Sequence, residues 1–228
     1  MNFKHEKVDL GYQDLESTTE KSGRLYRIPE GIEYPSITTV LSILSEESIA
    51  KWRKRVGNEQ ADRISTRASR RGTAVHSVVE KYLDNDPNYM DGYTPDIFDS
   101  FRSIRGVLDG RIGKIYGQEL PLYSDHLRVA GRVDCVAEFD GKISIIDFKT
   151  SKRLKKRKWV ESYFCQEAAY AIMWEERTGM PVTQLVTIIT VDDIAGGQPG
   201  NQVFVEQRDN HVKKLRDTIE VYYQRTNG

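Results

Sequence analysis

The chain is poor in the residue types that mark several classes of protein. Among its 228 residues there are only 2 cysteines and 4 histidines, and the formal net charge is zero. Because Cys135 and Cys165 form no CxxC pair, the pattern indicates neither a zinc nor an iron–sulfur site. We expect both to pack as small apolar residues in a reducing compartment. No apolar run approaches the roughly 18 residues of a membrane span, so no membrane partner is expected.

The neutral total hides a strong segregation of charge. Of the ten residues from Lys149 to Lys158, seven are basic and none is acidic. A second basic set lies upstream and comprises Lys51, Arg53, Lys54, Arg55, Arg63, Arg67, Arg70 and Arg71. Such segregation directs a polyanion to one side of a neutral protein, although a solvated basic loop is the usual alternative.

The length fits one domain, and we predict a loose arm over 1–22 followed by a single domain over 23–228. That domain divides into a helical part at 36–116, a sheet core at 117–206 and a final helix at 210–223. A long helix from about Glu59 to Leu83 has Gly72 as a candidate break. The order of helices, a three-strand meander, helix, strand, strand and helix predicts an α/β or α+β domain with a mixed central sheet.

The most informative stretch is Gly131–Ser151, GRVDCVAEFDGKISIIDFKTS. Its centre is Asp140-Gly141, the strongest two-residue signal for a β-hairpin. If this pair forms the turn, Asp134 lies directly opposite Asp147. Two like charges in that arrangement are destabilising, and a divalent cation between the carboxylates is the simplest reason for them.

The same register places Arg132 opposite Lys149. Lys149 follows Asp147 by two residues and therefore points to the same face of the sheet. The hairpin thus predicts a metal-dependent active site, with ordinary surface charges at a strand end as the alternative.

Two further pairs have helical i, i+4 spacing and therefore share one face of their helices. They are His76 with Glu80, and Gln166 with Tyr170. A lone histidine is more often structural than a ligand, and a Gln–Tyr pair is more often part of a core rim. Neither pair would indicate a site without the hairpin.

Together these elements resemble the RecB-like branch of the PD-(D/E)XK nuclease superfamily. The matching motifs are G-x-x-x-H at Gly72 and His76, G-x-x-D at Gly131 and Asp134, D-x-K at Asp147 and Lys149, and Q-x-x-x-Y at Gln166 and Tyr170. Each motif is weak alone, but four in order on the expected elements are specific. Within that branch the hairpin is most similar to the mitochondrial genome maintenance and related bacteriophage exonucleases.

The resemblance implies a PD-(D/E)XK-type mixed central β-sheet flanked by helices, with added helices at the amino end. It also implies Mg²⁺ or Mn²⁺ as cofactor, and Asp134 and Asp147 supply the hard oxygen ligands that these ions prefer. His76 and the backbone carbonyl of Phe148 are implied as further ligands. Asp134, Asp147 and Lys149 are the expected catalytic residues. Lys149 would orient or deprotonate water, or neutralise the charge that develops in the transition state.

DNA, single-stranded or with free ends, is the implied partner. The candidate contacts are Gln166 and Tyr170, Arg132, Lys152 and Arg153, and the aromatic residues Trp159 and Tyr163, which could stack bases. For Arg132, the alternative is that it offsets the neighbouring acids. Glu80 and Glu119 are secondary candidates for the site.

The implied function is a metal-dependent DNA exonuclease that prefers single-stranded ends or flaps, in phage DNA recombination, repair or degradation. Alternatives are a structure-selective endonuclease, a multimeric double-strand exonuclease, an inactive nucleic-acid-binding module and an unrelated α/β domain. Because MNFKHEKVDLGYQDLE contains no apolar signal-peptide core, we expect a cytoplasmic protein, in a bacterial host if phage-encoded. Polarity and oligomeric state stay open.

Overall fold

A central five-stranded sheet organises the protein in a computed structural model that describes residues 2–226. Three short strands come first, β1 (Glu16–Glu20), β2 (Gly23–Arg27) and β3 (Glu33–Pro35). Four helices follow, α1 (Ile37–Leu41), α2 (Glu46–Val56), α3 (Asn58–Leu83) and α4 (Pro95–Arg111). The second half contains β4 (Ile112–Ser124), β5 (Val129–Phe139), β6 (Lys142–Arg153), α5 (Glu161–Thr178), β7 (Gln184–Ala195), β8 (Gln198–Gln207) and α6 (Asp209–Thr226).

The central sheet has the order β4-β5-β6-β7-β8, and β1, β2 and β3 form a separate small sheet. Strands β6 and β7 are parallel, while the other neighbours in the central sheet are antiparallel. Helix α5 connects the two parallel strands, as a parallel pair requires a crossover. The predicted mixed central sheet flanked by helices is confirmed.

Alternate residues of the central strands pack against different helices, because successive side chains of a strand point to opposite faces. Val136, Ile145 and Leu185 belong to the cluster that includes buried residues of α1, α5 and α6. Cys135, Ile146 and Val186 belong to the cluster beneath α3 and α4. Both cysteines are buried and free, as the sequence predicts.

The predicted hairpin forms with the predicted register from the turn to the pair of Cys135 with Ile146. However, the expected pairs of Asp134 with Asp147 and of Arg132 with Lys149 lie beyond the last strand pair. Asp140 and Gly141 have φ angles of 51° and 77°, and two positive φ values at the turn define the type I′ geometry that Asp-Gly favours. Cys135 lies opposite Ile146, and each later pair up to the turn keeps the same sum of residue numbers. The local turn chemistry therefore fixes the relative position of the two strands.

The amino-terminal residues differ from the predicted loose arm. Strand β1 pairs with β2, and Phe3 and Leu15 are buried. Backbone hydrogen bonds also join Lys4 and Glu6 to Ile115 of β4. Because every side chain of β1 is exposed, this polar segment shows no alternation that would predict a strand. The domain limits stay a prediction, and Met1, Asn227 and Gly228, which they include, lie outside the described residues.

Two other boundaries also differ from the prediction. Helix α3 continues through Gly72, since one glycine costs a helix only about 1 kcal/mol relative to alanine. Strand β4 begins at Ile112, within the helical part predicted for 36–116. At the tip of the hairpin formed by β7 and β8, Gly196 and Gly197 supply positive φ angles of 62° and 82°. No helix within residues 2–226 is long and apolar enough to cross a bilayer.

Candidate active site

Glu119 of β4 stands opposite Asp134 of β5. Its neighbours Gln118 and Leu120 pair with Cys135 and Val133, so the register brings the two acids face to face. Glu119 has a φ of 48°, in the left-handed region that side-chain-bearing residues rarely adopt. Backbone strain of this kind concentrates at functional sites, and here it coincides with paired acids.

Asp134 lies where β5 and β6 stop pairing. The last backbone pair is Cys135 with Ile146, and at the next position the side chain of Asp134 takes over. The backbone N–H of Phe148 donates to Oδ2 of Asp134 at 2.8 Å. A carboxylate thus replaces the backbone acceptor that a continued ladder would offer. The place where the two strands stop pairing is hereafter called the fork.

Helix α3 brings His76 to this fork. Its Nε2 lies 2.5 Å from the carbonyl oxygen of Phe148. Because a carbonyl oxygen only accepts, Nε2 is the donor in this hydrogen bond. That Nδ1 lies 3.5 Å from Oδ2 of Asp134. The Phe148 carbonyl therefore orients the imidazole. The predicted roles of His76 and of the Phe148 carbonyl as metal ligands stay predictions.

His76, Glu119 and Asp134, hereafter the acidic cluster, offer three ligand atoms that all lie within 4.8 Å of one another. One imidazole nitrogen and two carboxylates form a donor set suited to Mn²⁺ and acceptable to Mg²⁺. Burial, together with the charges of Asp134 and Glu80, raises the pKa of Glu119 to about 7. A divalent cation would remove this repulsion, so the residues fit the metal that the sequence predicts.

Sequence reasoning ranked Glu119 below Asp147 as a site residue, and the structure brings Glu119 into the cluster. Asp147 instead forms an ion pair with Lys149, whose Nζ lies 2.5 Å from Oδ2. The side chain of Asp147 is only 2% exposed. Its predicted role as a ligand stays a prediction, and Glu80 lies beside the cluster without joining it.

The Asp147–Lys149 pair is ionised at neutral pH. Burial raises the pKa of Asp147 to about 6, partly against the effect of the Lys149 charge. Burial by itself would lower the pKa of Lys149, but the charges of Asp147 and Asp134 outweigh it and hold that pKa above its usual value. The ammonium group is therefore a fixed positive charge beside the acidic cluster.

Glu167 on α5 is a further buried acid that sequence reasoning missed. Thr187, the register partner of Asp147 on β7, donates a hydrogen bond to Oε1 of Glu167. Within residues 2–226, Oε2 has no hydrogen-bond partner. Burial, followed by the charge of Asp147, raises the pKa of Glu167 well above its usual value. The available signal was a glutamate within the otherwise apolar helix segment that follows Gln166.

Gly131 of the G-x-x-D motif makes room for Tyr170. A Cβ atom at Gly131 would lie 2.8 Å from the Tyr170 hydroxyl oxygen, closer than real Cβ contacts allow. Tyr170 is buried against β5, and Gln166 lies one helical turn earlier and is half-buried. Their predicted contacts with DNA stay predictions, but the two motifs are joined by packing.

Two other predicted DNA contacts are engaged within the protein. Arg132 pairs with Asp14 and donates to the backbone carbonyl of Glu119 at 2.5 Å. The Tyr163 ring lies 5.3 Å from Nζ of Lys149, a cation–π contact. Both side chains therefore support neighbouring site residues in this structure.

The remaining predicted contacts lie on the surface. Trp159 is 58% exposed, and Nζ of Lys156 lies 5.3 Å from its ring. Lys152 and Arg153 are exposed at the end of β6. These three residues are placed where a nucleic acid could reach them.

The fold and the acidic cluster agree with a family comparison. Residues 96–226, more than half of the chain, match the PD-(D/E)XK nuclease superfamily. The chain belongs to this superfamily. The resemblance inferred from the four motifs is thereby confirmed, and as a PD-(D/E)XK protein the chain is assigned to the nucleases.

Two curated relatives share part of this PD-(D/E)XK region. The chain is 27% identical over 146 residues to mitochondrial genome maintenance exonuclease 1 of Mus musculus, a match that covers 60% of this chain and 43% of the relative. The Homo sapiens protein of the same name is 25% identical over 146 residues, with 57% and 40% covered. The matched region thus spans less than half the length of either relative.

Proposed function

We propose that this PD-(D/E)XK protein is a metal-dependent DNA exonuclease that prefers single-stranded ends or flaps. The observation that carries the proposal is the acidic cluster beside the ionised Asp147–Lys149 pair. The names of the two curated relatives, both exonucleases, support the exonucleolytic mode. A role in bacteriophage DNA recombination, repair or degradation, in a bacterial cytoplasm, remains a prediction from the sequence.

The acidic cluster would hold Mg²⁺ or Mn²⁺, which would supply a more acidic water and a polarised scissile phosphate. The carbonyl of Phe148 accepts a hydrogen bond from Nε2 of His76, as a group that orients a ligand does. The N–H of Phe148 holds the Asp134 carboxylate in place at 2.8 Å. The same residue therefore positions two of the three ligands.

Lys149 acts as a cation and not as a base in this proposal. Its pKa lies above the usual value, so the neutral amine that could accept a proton is scarce at neutral pH. An ammonium group placed beside the reacting phosphate stabilises the charge that develops there, typically by about 3–4 kcal/mol. Asp147 keeps the ammonium group in position from its buried place on β6.

The hydrolysis itself balances simply. The oxygen of water forms a bond to phosphorus, and the ester P–O bond on the opposite side breaks. The water loses a proton, the departing oxygen gains one, and the products are a phosphate monoester and a free hydroxyl group. The Lys149 charge faces the extra negative charge on phosphorus oxygens during this exchange.

The test uses end-labelled linear and covalently circular single-stranded DNA with Mg²⁺, Mn²⁺ or EDTA. We expect loss of the linear DNA only, with metal only, and no loss with Asp134→Asn. Cleavage of the circle would replace the proposal by an endonuclease. DNA binding without degradation of either substrate would replace it by an inactive binding module.

A further inference from the structure

The amino-terminal half of α3 carries a row of arginines. Arg63, Arg67 and Arg70 follow one another at spacings of four and three, so they share one face of the helix. All three are exposed. This half of α3 packs little apolar surface, since its buried residues before Gly72 comprise Ala61 alone within the described chain. The row is therefore a charged surface and not a core face.

The row lines one wall of a groove of about 740 Å³ between α3, the start of α4 and the end of β6. The basic residues around it are Arg63, Arg67, Arg70, Arg71 and Lys152. The acids around it are Asp96 and Asp192. The groove thus carries an excess of positive charge in a protein whose total charge is zero.

The positive charges of the groove fall into two groups. Arg71 pairs with Asp192 and donates to Oγ of Ser100 at 2.6 Å, so it ties α3 to α4 and β7. Arg63 pairs with Glu59 at 2.7 Å on its own helix. A second group, Arg67, Arg70 and Lys152, makes no ion pair within residues 2–226. Their charge is available to a ligand.

The groove and the acidic cluster lie along the same helix and strand. Helix α3 and strand β6 run side by side, from the contact of His76 with Phe148 to the approach of Gly72 to Thr150, whose Oγ1 lies 4.0 Å from the Cβ position. Thr150 and Lys152 both line the groove. Since a strand rises about 3.3 Å per residue, the backbone of Lys152 lies within about 10 Å of the backbone of Lys149, whose side chain points to the opposite face of the sheet.

Part of the basic run that follows Lys149 is already engaged within the protein. Arg157 binds Glu206 through two hydrogen bonds of 2.6 and 2.7 Å. Lys156 lies against the ring of Trp159. Part of the charge that is conspicuous in the sequence is therefore already paired or stacked, whereas Arg67 and Arg70 are not.

We propose that this groove is a phosphate-binding track for a nucleic-acid strand and that Arg67 and Arg70 contact its backbone. The inference rests on the proposed nuclease function, since the groove lies along the same helix and strand as the acidic cluster. Contacts to phosphate position a strand without reading its sequence, so the track would accept any base. Arg71 holds the wall of the track and is not itself a contact.

The test measures binding of a fluorescein-labelled oligothymidylate in EDTA at several salt concentrations. The variant is Arg67→Ala with Arg70→Ala, and the control is Lys213→Ala with Arg216→Ala on the exposed side of α6. Each phosphate contact on a single strand contributes about 0.7 to the slope of log Kd against log salt, so the variant should lose about 1.4. The control should keep the wild-type slope.

A second readout uses degradation of linear DNA. We expect KM to rise in the arginine variant while kcat changes little, because the contacts lie away from the reacting atoms. An unchanged slope and KM in a folded arginine variant would overturn the track. The track would also be overturned if the variant Lys155→Ala with Lys158→Ala, and not the arginine variant, lowered the slope of log Kd against log salt. Failure of the wild type to degrade any DNA would overturn the proposed function, which separates the two claims.

Discussion

The acidic cluster and the Asp147–Lys149 pair lie next to each other but handle charge in opposite ways. In the cluster, Glu119 and Asp134 are half-buried acids, and burial, followed by the charge of Asp134, raises the pKa of Glu119. In the pair, a buried carboxylate is neutralised by an ammonium group of the same strand. The cluster therefore needs a cation from outside, whereas the pair is satisfied by the fold. Substitutions should separate activity from stability in the first region and couple them in the second.

The largest effect should come from Lys149→Met. Turnover should fall by about a hundredfold or more, since a cation beside the phosphate is lost. The free energy of unfolding should fall by about 3–5 kcal/mol, as is usual when one partner of a buried ion pair is removed. Urea denaturation and initial rates measure the two effects on the same preparation.

The loss of stability in Lys149→Met should depend on pH. Without the ammonium group, the folded-state pKa of Asp147 rises further above its unfolded value, because burial then acts unopposed. An acid whose pKa is higher in the folded state than in the unfolded state stabilises the fold at low pH. This stabilisation is lost as pH rises through the folded-state pKa. The deficit relative to wild type should therefore widen as pH rises above about 6, the pKa of Asp147 in wild type.

A double variant is the control. Lys149→Met with Asp147→Asn removes both charges, so it should regain most of the stability while staying inactive. A double variant as unstable as the single one would mean that the pair stabilises the fold through packing and not through charge.

Asp134→Asn and Glu119→Gln should each remove a carboxylate of the acidic cluster and change the stability of the protein little. Activity should fall by about a hundredfold. Stability without metal should stay within about 1 kcal/mol, because the asparagine oxygen can still accept from the Phe148 N–H. Differential scanning fluorimetry with and without Mn²⁺ distinguishes the regions.

Wild type should gain stability from the ion, by about 2.7 kcal/mol at one hundred times Kd. Lys149→Met should keep this gain, and Asp134→Asn should lose it. The reverse pattern would place the ion at the Asp147–Lys149 pair and would contradict the division between the two regions.

The hairpin could be predicted from the sequence because its determinants are local. Asp140 and Gly141 select one turn type, and the turn fixes the register of the residues that follow. His76 could be placed on α3 for a similar reason, since helical spacing is a local property. These parts of the fold and site depend on neighbours in sequence.

Glu119 and the groove could not be predicted in the same way. The position of Glu119 depends on the pairing of β4 with β5 and on a left-handed residue within a strand, which no periodicity announces. The groove depends on how α3 lies along β6, so the sequence showed the arginines without showing which of them are already paired. Charge counts alone favoured the basic run instead.

The smallest effect on activity should come from Glu167→Gln, which tests how far the pair's electrostatics extend. Burial, followed by the charge of Asp147, raises the pKa of Glu167 well above its usual value, which favours the neutral carboxyl group over the carboxylate. The amide keeps an oxygen that accepts from the Thr187 hydroxyl. We expect turnover within about tenfold of wild type, as for a group that acts through others.

Stability gives the sharper readout at this position. When the pKa of an acid is raised in the folded state, the free energy of unfolding falls as pH rises above the pKa of that acid in the unfolded state. Glutamine does not titrate, so it causes no such fall. The Glu167→Gln variant should therefore become progressively more stable than wild type as pH increases. Glu167→Ala, which leaves the Thr187 hydroxyl without its acceptor, should be less stable by about 1–3 kcal/mol. If Glu167→Gln instead loses stability as pH rises, Glu167 is ionised, and the charge balance around Lys149 includes a second buried carboxylate.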